Sequence, residues 1–209
     1  MCLIEEMGNI YVIANGDGKS GKSTTALNLA ICFATLTQKT LLIDLSRNSW
    51  VSQLCDPKNQ GQVKLNTFLS FQKTGQVDLL TLKSYDKIVV DCPSHLNTDV
   101  FNALKTVAKV IIPVECEYYG LNTLPDLLRQ IDRAGIEIAG FLPVMHKRGT
   151  EVSETILNKL TENFDQMVFL PSIQRNYYLA HQKDLNSFVL SELSNKAAVT
   201  YLSLANTLL

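Results

Sequence analysis

Lys22 and Ser23 close the run Gly16-Asp17-Gly18-Lys19-Ser20-Gly21-Lys22-Ser23, which satisfies G-x-x-x-x-G-K-[ST], the P-loop pattern. The chemistry that such a run supports is the holding of a polyphosphate. Its glycines let backbone N–H groups curl around phosphate oxygens, and a helix N-terminus behind the loop adds a favourable partial charge. The Lys22 amine would reach the β- and γ-phosphates, and the Ser23 hydroxyl would hold Mg²⁺. The loop residues Gly16, Asp17, Gly18, Lys19, Ser20, Gly21, Lys22, Ser23 and the following Thr24 are therefore candidate nucleotide contacts. The competing reading is a chance match on a structural turn. Against it stand the flanks: Ile10-Tyr11-Val12-Ile13-Ala14 reads as a strand, and Thr24–Ala34 reads as a helix.

Three aspartates could complete such a site. Asp91 ends the apolar run Lys87-Ile88-Val89-Val90, where a carboxylate can serve Mg²⁺ through water; the alternative is an ordinary helix-capping residue. Asp44 ends Leu41-Leu42-Ile43 in the same manner and would face the phosphates or cap the next turn. Asp17 lies inside the loop, where its charge opposes that of a phosphate unless the side chain points away. Guanine specificity has no support, because N-K-x-D does not occur.

The elements that must position these residues alternate along the chain. Strands are expected at Ile10–Ala14, Thr40–Asp44, Lys87–Asp91, Val110–Val114, Ile138–Val144 and Met167–Leu170. Their continuous apolar character suits a sheet covered on both faces. Helices are expected at Lys22–Leu36, Thr98–Val107, Leu121–Arg133, Glu151–Asn163 and Glu192–Leu208. The last two carry the apolar stripes Ile156, Leu157, Leu160, Phe164 and Leu193, Ala197, Tyr201, Leu204, Leu208. This order predicts a three-layer α/β fold of the P-loop type, a mostly parallel sheet with helices on both faces, in one domain over residues 1–209. Arg47–Ser84, rich in Asn, Gln, Ser and Lys, is the least regular part.

The formal charge is −1, so no overall charge points at nucleic acid or membrane. Five scattered cysteines without a C-x-x-C pair suggest neither a zinc site nor a disulfide framework, but reduced cytosolic thiols. No apolar run reaches the ~18 residues of a membrane span, and the N-terminus lacks the regions of a signal peptide. A cytoplasmic location is expected. His95, His146 and His181 have no metal-like spacing.

Four segments in order resemble the ParA/MinD family of deviant Walker-type ATPases. They are Ile10–Ala30 around the loop, Leu41-Leu42-Ile43-Asp44-Leu45-Ser46-Arg47-Asn48, Tyr85–Ser94, and Val110–Leu124 with its Glu115-Cys116-Glu117-Tyr118-Tyr119 core. The resemblance covers nearly the whole chain from Met7. It implies ATP or ADP with Mg²⁺, and plasmid or chromosome partition, or the positioning of another cargo. It also implies an ATP-controlled homodimer and a ParB-like or adaptor partner that stimulates hydrolysis. Lys22 and Asp44 would be the catalytic residues, and Ser23 and Asp91 the metal ligands. Pro171 and Ser172–Asn176 resemble the family's loop near the adenine base.

Four departures bear on the same site. Asp17 stands where the family carries a signature lysine that crosses to the partner's phosphates. Ser46 replaces the second aspartate of D-x-D and cannot serve as a carboxylate base. Asp91-Cys92-Pro93-Ser94 lacks one switch proline, and the stretch from Asp44 to Asp91 is short, so that a helix near the nucleotide is missing from the expected set. Together they predict a weakened hydrolysis cycle, unless Lys19 or Lys147 supplies the lost charge. Arg129, Arg133, Lys147 and Arg148 could meet DNA phosphates, as in ParA-like proteins. Asp126, Asp132, Glu137, Glu151 and Glu154 favour a solvated mixed-charge face instead. Asn195–Leu209 has one cation, Lys196, and reads as a packed helix rather than a membrane-binding one. Two other functions remain open: a non-hydrolysing ParA-like regulatory module, and a kinase or ATP-dependent ligase of related fold.

Overall fold

The apolar runs form the interior of a seven-stranded sheet. In the computed structural model, which describes residues 9–46, 49–75, 79–93, 104, 107–176, 179 and 196–209, the strands are β1 (Asn9–Ile13), β2 (Thr40–Asp44), β3 (Gln62–Lys64), β4 (Leu69–Lys73), β5 (Lys87–Asp91), β6 (Ala108–Glu115) and β7 (Glu137–Val144). Their spatial order is β3-β4-β2-β5-β1-β6-β7. Every pairing is parallel except β3 with β4. The helices are α1 (Lys22–Thr35), α2 (Trp50–Cys55), α3 (Leu79–Leu82), α4 (Leu124–Ala134), α5 (Glu151–Phe164) and α6 (Lys196–Thr207).

Alternation along each strand divides the core into two layers. Val12, Ile43, Val90, Ile112 and Val114 face α4 and α5, packing with Leu127, Ile131, Ile156 and Leu160. Tyr11, Ile13, Leu42, Val89 and Ile111 face α1 and α6, packing with Leu29, Phe33, Tyr201 and Leu204. Both faces are thus covered, which is why β2 and β5 are buried at every position. The expected three-layer, mostly parallel fold is the one found.

The expected elements need several corrections. Met167–Leu170 is not a strand: Asp165–Met167 is a 3₁₀ turn and Val168 makes one isolated bridge to Phe141. The segment meets β7 there, with the Phe169 N–H donating to the Phe141 carbonyl at 2.8 Å; Val168 is buried, while Met167 and Leu170 are exposed. The Arg47–Ser84 stretch is more regular than its polar composition suggests. It holds α2, β3 and β4, and β4 extends the sheet beside β2. In β4 only Leu69 and Phe71 are buried, so the signal is alternation rather than a continuous apolar run. The helix expected at Thr98–Val107 lies outside the described residues except for Leu104, which is helical and buried, and Val107, which is in a turn. Residues 192–195 of the last expected helix, and His95 and His181, also lie outside them. No helix among the described residues is long and apolar enough to cross a membrane.

Candidate functional site

The carboxyl ends of β1, β2 and β5 meet in register, Ile13 beside Asp91 and Asp91 beside Asp44. The loop Gly16–Gly21 rises from β1 at this edge. Its entrance is fixed by Asn15, which is buried and donates from Nδ2 to the Pro113 carbonyl at 2.6 Å. Asn15 Oδ1 accepts from the Asp17 N–H at 2.8 Å and from Thr123 Oγ1 at 3.2 Å. The exit is Gly21 at φ 80°, a left-handed conformation that favours glycine and starts α1 with Lys22 in its first turn. The Lys22 amine turns back into the loop, donating to the Asp17 carbonyl and lying 3.3 Å from Ser20 Oγ. Burial lowers its pKa, and Asp91 and Asp17 push the other way.

Asp91 is fully buried, and neither carboxylate oxygen has a hydrogen bond of normal geometry from any described residue. Burial raises its pKa to about 7; the nearby Ser23 hydroxyl and Lys22 lower it, and Asp44 adds to the rise. Such an uncompensated acid is costly without a counter-charge. A carboxylate next to a hydroxyl at a phosphate loop is the donor set of a hard divalent cation, so Ser23 and Asp91 fit Mg²⁺. Asp44 differs. Its Oδ1 accepts from the Ser46 N–H at 2.9 Å and its Oδ2 from Ser52 Oγ at 2.5 Å. Here it fastens the β2 turn to α2.

An open cavity of about 800 Å³ lies over the loop. Gly18, Lys22 and Ser23 form one wall, and Ser46, Trp50 and Pro93 stand among the others. A second, more apolar cavity of about 450 Å³ adjoins it through Gly21, Thr24 and Met145. Ile173, Gln174 and Tyr201 continue its lining, so the Ser172–Asn176 segment lies where a base could sit. Lys19 is exposed at the mouth of the larger cavity. Lys147 is 3.1 Å from Glu117, which also pairs with Arg175. Asp17 turns toward α4, with Thr123 Oγ1 3.3 Å from its Oδ2. Arg129 pairs with Asp126 and Lys109 with Glu137, as on a mixed-charge face.

The expected residues therefore divide. Lys22, Ser23, Thr24 and the loop glycines line the cavities; Asp91, which lies near Ser23 and Lys22, and Asp44 are fully buried and line neither. Sequence reasoning missed Trp50, Met145 and Tyr201 as lining residues. Nothing local marks them, since they come from α2, the end of β7 and α6.

The chain matches the AAA domain family over residues 72–144. It is 28% identical to the chromosome-partitioning ATPase Soj of Treponema pallidum, covering 83% of this chain and 86% of that protein. It is 24% identical to the chromosome partitioning protein ParA of Myxococcus xanthus, covering 97% and 88%. Among solved structures, cobyrinic acid a,c-diamide synthase of Mycobacterium smegmatis, with an ATP analogue and magnesium, superposes with a TM-score of 0.74. The two are 19% identical over 96% of this chain and 94% of that one. The cell division ATPase MinD of Pyrococcus furiosus gives 0.69 at 19% identity, over 97% and 98%.

Proposed function

We propose, on the premise that the chain belongs to the ParA/MinD family of P-loop ATPases, that it binds ATP or ADP with Mg²⁺ and turns ATP over weakly or only with a partner. The observation that carries this reading is the buried Asp91 carboxylate, without a hydrogen bond of normal geometry among the described residues, beside Lys22 and Ser23, which line an open cavity. In this reading the backbone of Gly16–Gly21 and the Lys22 amine hold the phosphates. Lys22 leaves the Asp17 carbonyl and Ser20 to do so, exchanging one set of acceptors for another. Ser23 and Asp91 hold Mg²⁺, which supplies neutralisation of phosphate charge. The apolar cavity by Ile173 and Tyr201 takes the base. Asp44 positions rather than reacts: through the Ser46 N–H and Ser52 it sets the wall that carries Ser46 and Trp50.

Ser46 is the reason for expecting weak turnover. Its hydroxyl stands where the family has a carboxylate, and loss of a water-orienting base costs ~10²–10⁴-fold in rate. The role that follows is ParA-like positioning of a DNA segment or other cargo, with a ParB-like or adaptor partner. The non-hydrolysing regulatory module is the same reading with turnover abolished. DNA contact has weaker support: of the four candidate cations, Arg129 and Lys147 have acidic partners, while Arg133 and Arg148 are exposed among nearby acids.

Titration calorimetry with Mg-ADP and Mg-ATP tests the reading. The wild type should bind both, and Lys22→Ala should lose most of the affinity, because it deletes the main cation facing the phosphates. Equal binding by the two proteins would remove the loop from the account.

A further inference from the structure

Lys87 is the least expected charge in the fold. It opens β5, at the end of the sheet opposite the phosphate loop, and is almost fully buried. Its ammonium donates to the main-chain oxygens of Leu208 and Leu209 at 2.7 and 3.1 Å. It also lies over the rings of Phe33 and Tyr11, at 5.3 and 5.8 Å from their centroids. Those two rings stack on each other, and the Tyr11 hydroxyl donates to the same Leu208 oxygen at 2.9 Å. An aromatic and cationic clamp therefore grips the chain just past α6. Burial lowers the pKa of this lysine, and a buried amine is retained only where its donors are used.

What α6 carries explains why its place matters. Two turns before Leu208, Tyr201 is fully buried and forms a wall of the 450 Å³ cavity. Its hydroxyl is 3.1 Å from Thr25 Oγ1, two residues beyond the loop's Ser23. Tyr201 thus touches the base cavity and the helix that presents the phosphate loop, while its own helix is fixed by the clamp at the far end of the sheet. Seven residues, roughly 10 Å of helical rise, join the clamp to the wall, so the position of one end bears directly on the other.

We propose that Lys87 is a positioning residue for base binding: it anchors the end of α6, and α6 holds Tyr201 as the wall of the cavity beside the phosphate loop. The inference rests on the nucleotide reading above and adds the element that sets the base cavity's shape.

The test compares two probes by calorimetry, Mg-ADP and Mg-tripolyphosphate, the second of which uses the loop but not the base cavity. Lys87→Met keeps the apolar stem between the rings and removes the donors. We expect ~10-fold weaker ADP binding with tripolyphosphate affinity unchanged, and recovery of ADP binding in Lys87→Arg. Tyr201→Leu, which leaves the clamp intact, should change the same ratio; an unaltered ratio there removes the wall through which Lys87 would act, even if Lys87→Met does not fold. A lower melting temperature with an unaltered ADP-to-tripolyphosphate ratio, in a folded Lys87→Met or in Tyr201→Leu, would reduce the role to stability and overturn the inference. Failure of the wild type to bind either probe would instead defeat the nucleotide reading itself.

Discussion

At the scale of single residues, Asp91 and Asp44 look alike in sequence, each closing an apolar strand, yet their surroundings give them opposite characters. Asp44 has a donor for each oxygen, whereas Asp91 has none of normal geometry among the described residues and a pKa of about 7. The raised value has a sign. Between pH 4 and 7 the folded protein keeps a proton that the unfolded chain releases, so stability falls as pH rises through that window. Asp91→Asn removes the cost and should stabilise the ligand-free protein at pH 8 by ~2–4 kcal/mol, with little change near pH 4. Urea denaturation at the two pH values measures it, and parallel pH profiles for both proteins would mean that Asp91 is ordinarily solvated. If the proposed reading holds and the carboxylate serves the cation, the same variant should also weaken Mg-ADP binding.

At the scale of elements, the loop is only as well placed as the segments that hold it. Thr123 joins Asn15 and Asp17 to the start of α4, and the turn that delivers Thr123 leaves β6 through Gly120. A Cβ on Gly120 would lie 1.8 Å from the Glu115 carbonyl oxygen, an overlap with backbone that no side-chain movement relieves. Gly120→Ala should therefore destabilise the fold by ~2 kcal/mol or more, while Gly75→Ala, where the Cβ meets nothing within 4 Å, should stay within ~0.5 kcal/mol. Chemical denaturation of the two variants checks this, and similar values would mean that the turn adapts freely.

The elements also mark what a sequence can disclose. Strands buried on both faces, β1, β2, β5, β6 and β7, were legible because their apolar runs are unbroken, and the P-loop was legible because a phosphate cradle needs fixed residues at fixed spacing. The half-exposed β4 and the short β3 were not, since a three- or five-residue alternation in polar surroundings resembles a loop. Met167–Leu170 misled in the other direction: the segment meets β7 at one isolated bridge, and its Met167 and Leu170 are exposed. Trp50, Met145 and Tyr201 reach the cavities from three distant places, a convergence that only the folded chain creates. Lys87, a lysine at the head of an apolar strand, reads as an exposed end until Leu208 is seen against it.

At the scale of the whole molecule, the open question is whether two copies close over a nucleotide. The position at which the family carries its cross-subunit lysine holds Asp17, and its carboxylate is engaged by Thr123 within the same chain. Asp17 and Glu117 also help burial raise the pKa of Glu115, against which Arg175 and Lys147 act. A second copy presenting triphosphate to this surface would set like charges together, a juxtaposition that costs several kcal/mol in a desolvated interface. Mg-ATP or a slowly hydrolysed analogue should therefore leave the molar mass from light scattering at the value found with Mg-ADP. An ATP-dependent dimer of the wild type would mean that another cation has taken the lysine's part. Lys19→Ala and Lys147→Ala would then separate the two available choices: Lys19 is exposed at the cavity mouth, whereas Lys147 would first have to leave Glu117. Loss of the dimer in Lys19→Ala alone would place the substitute two residues along the same loop.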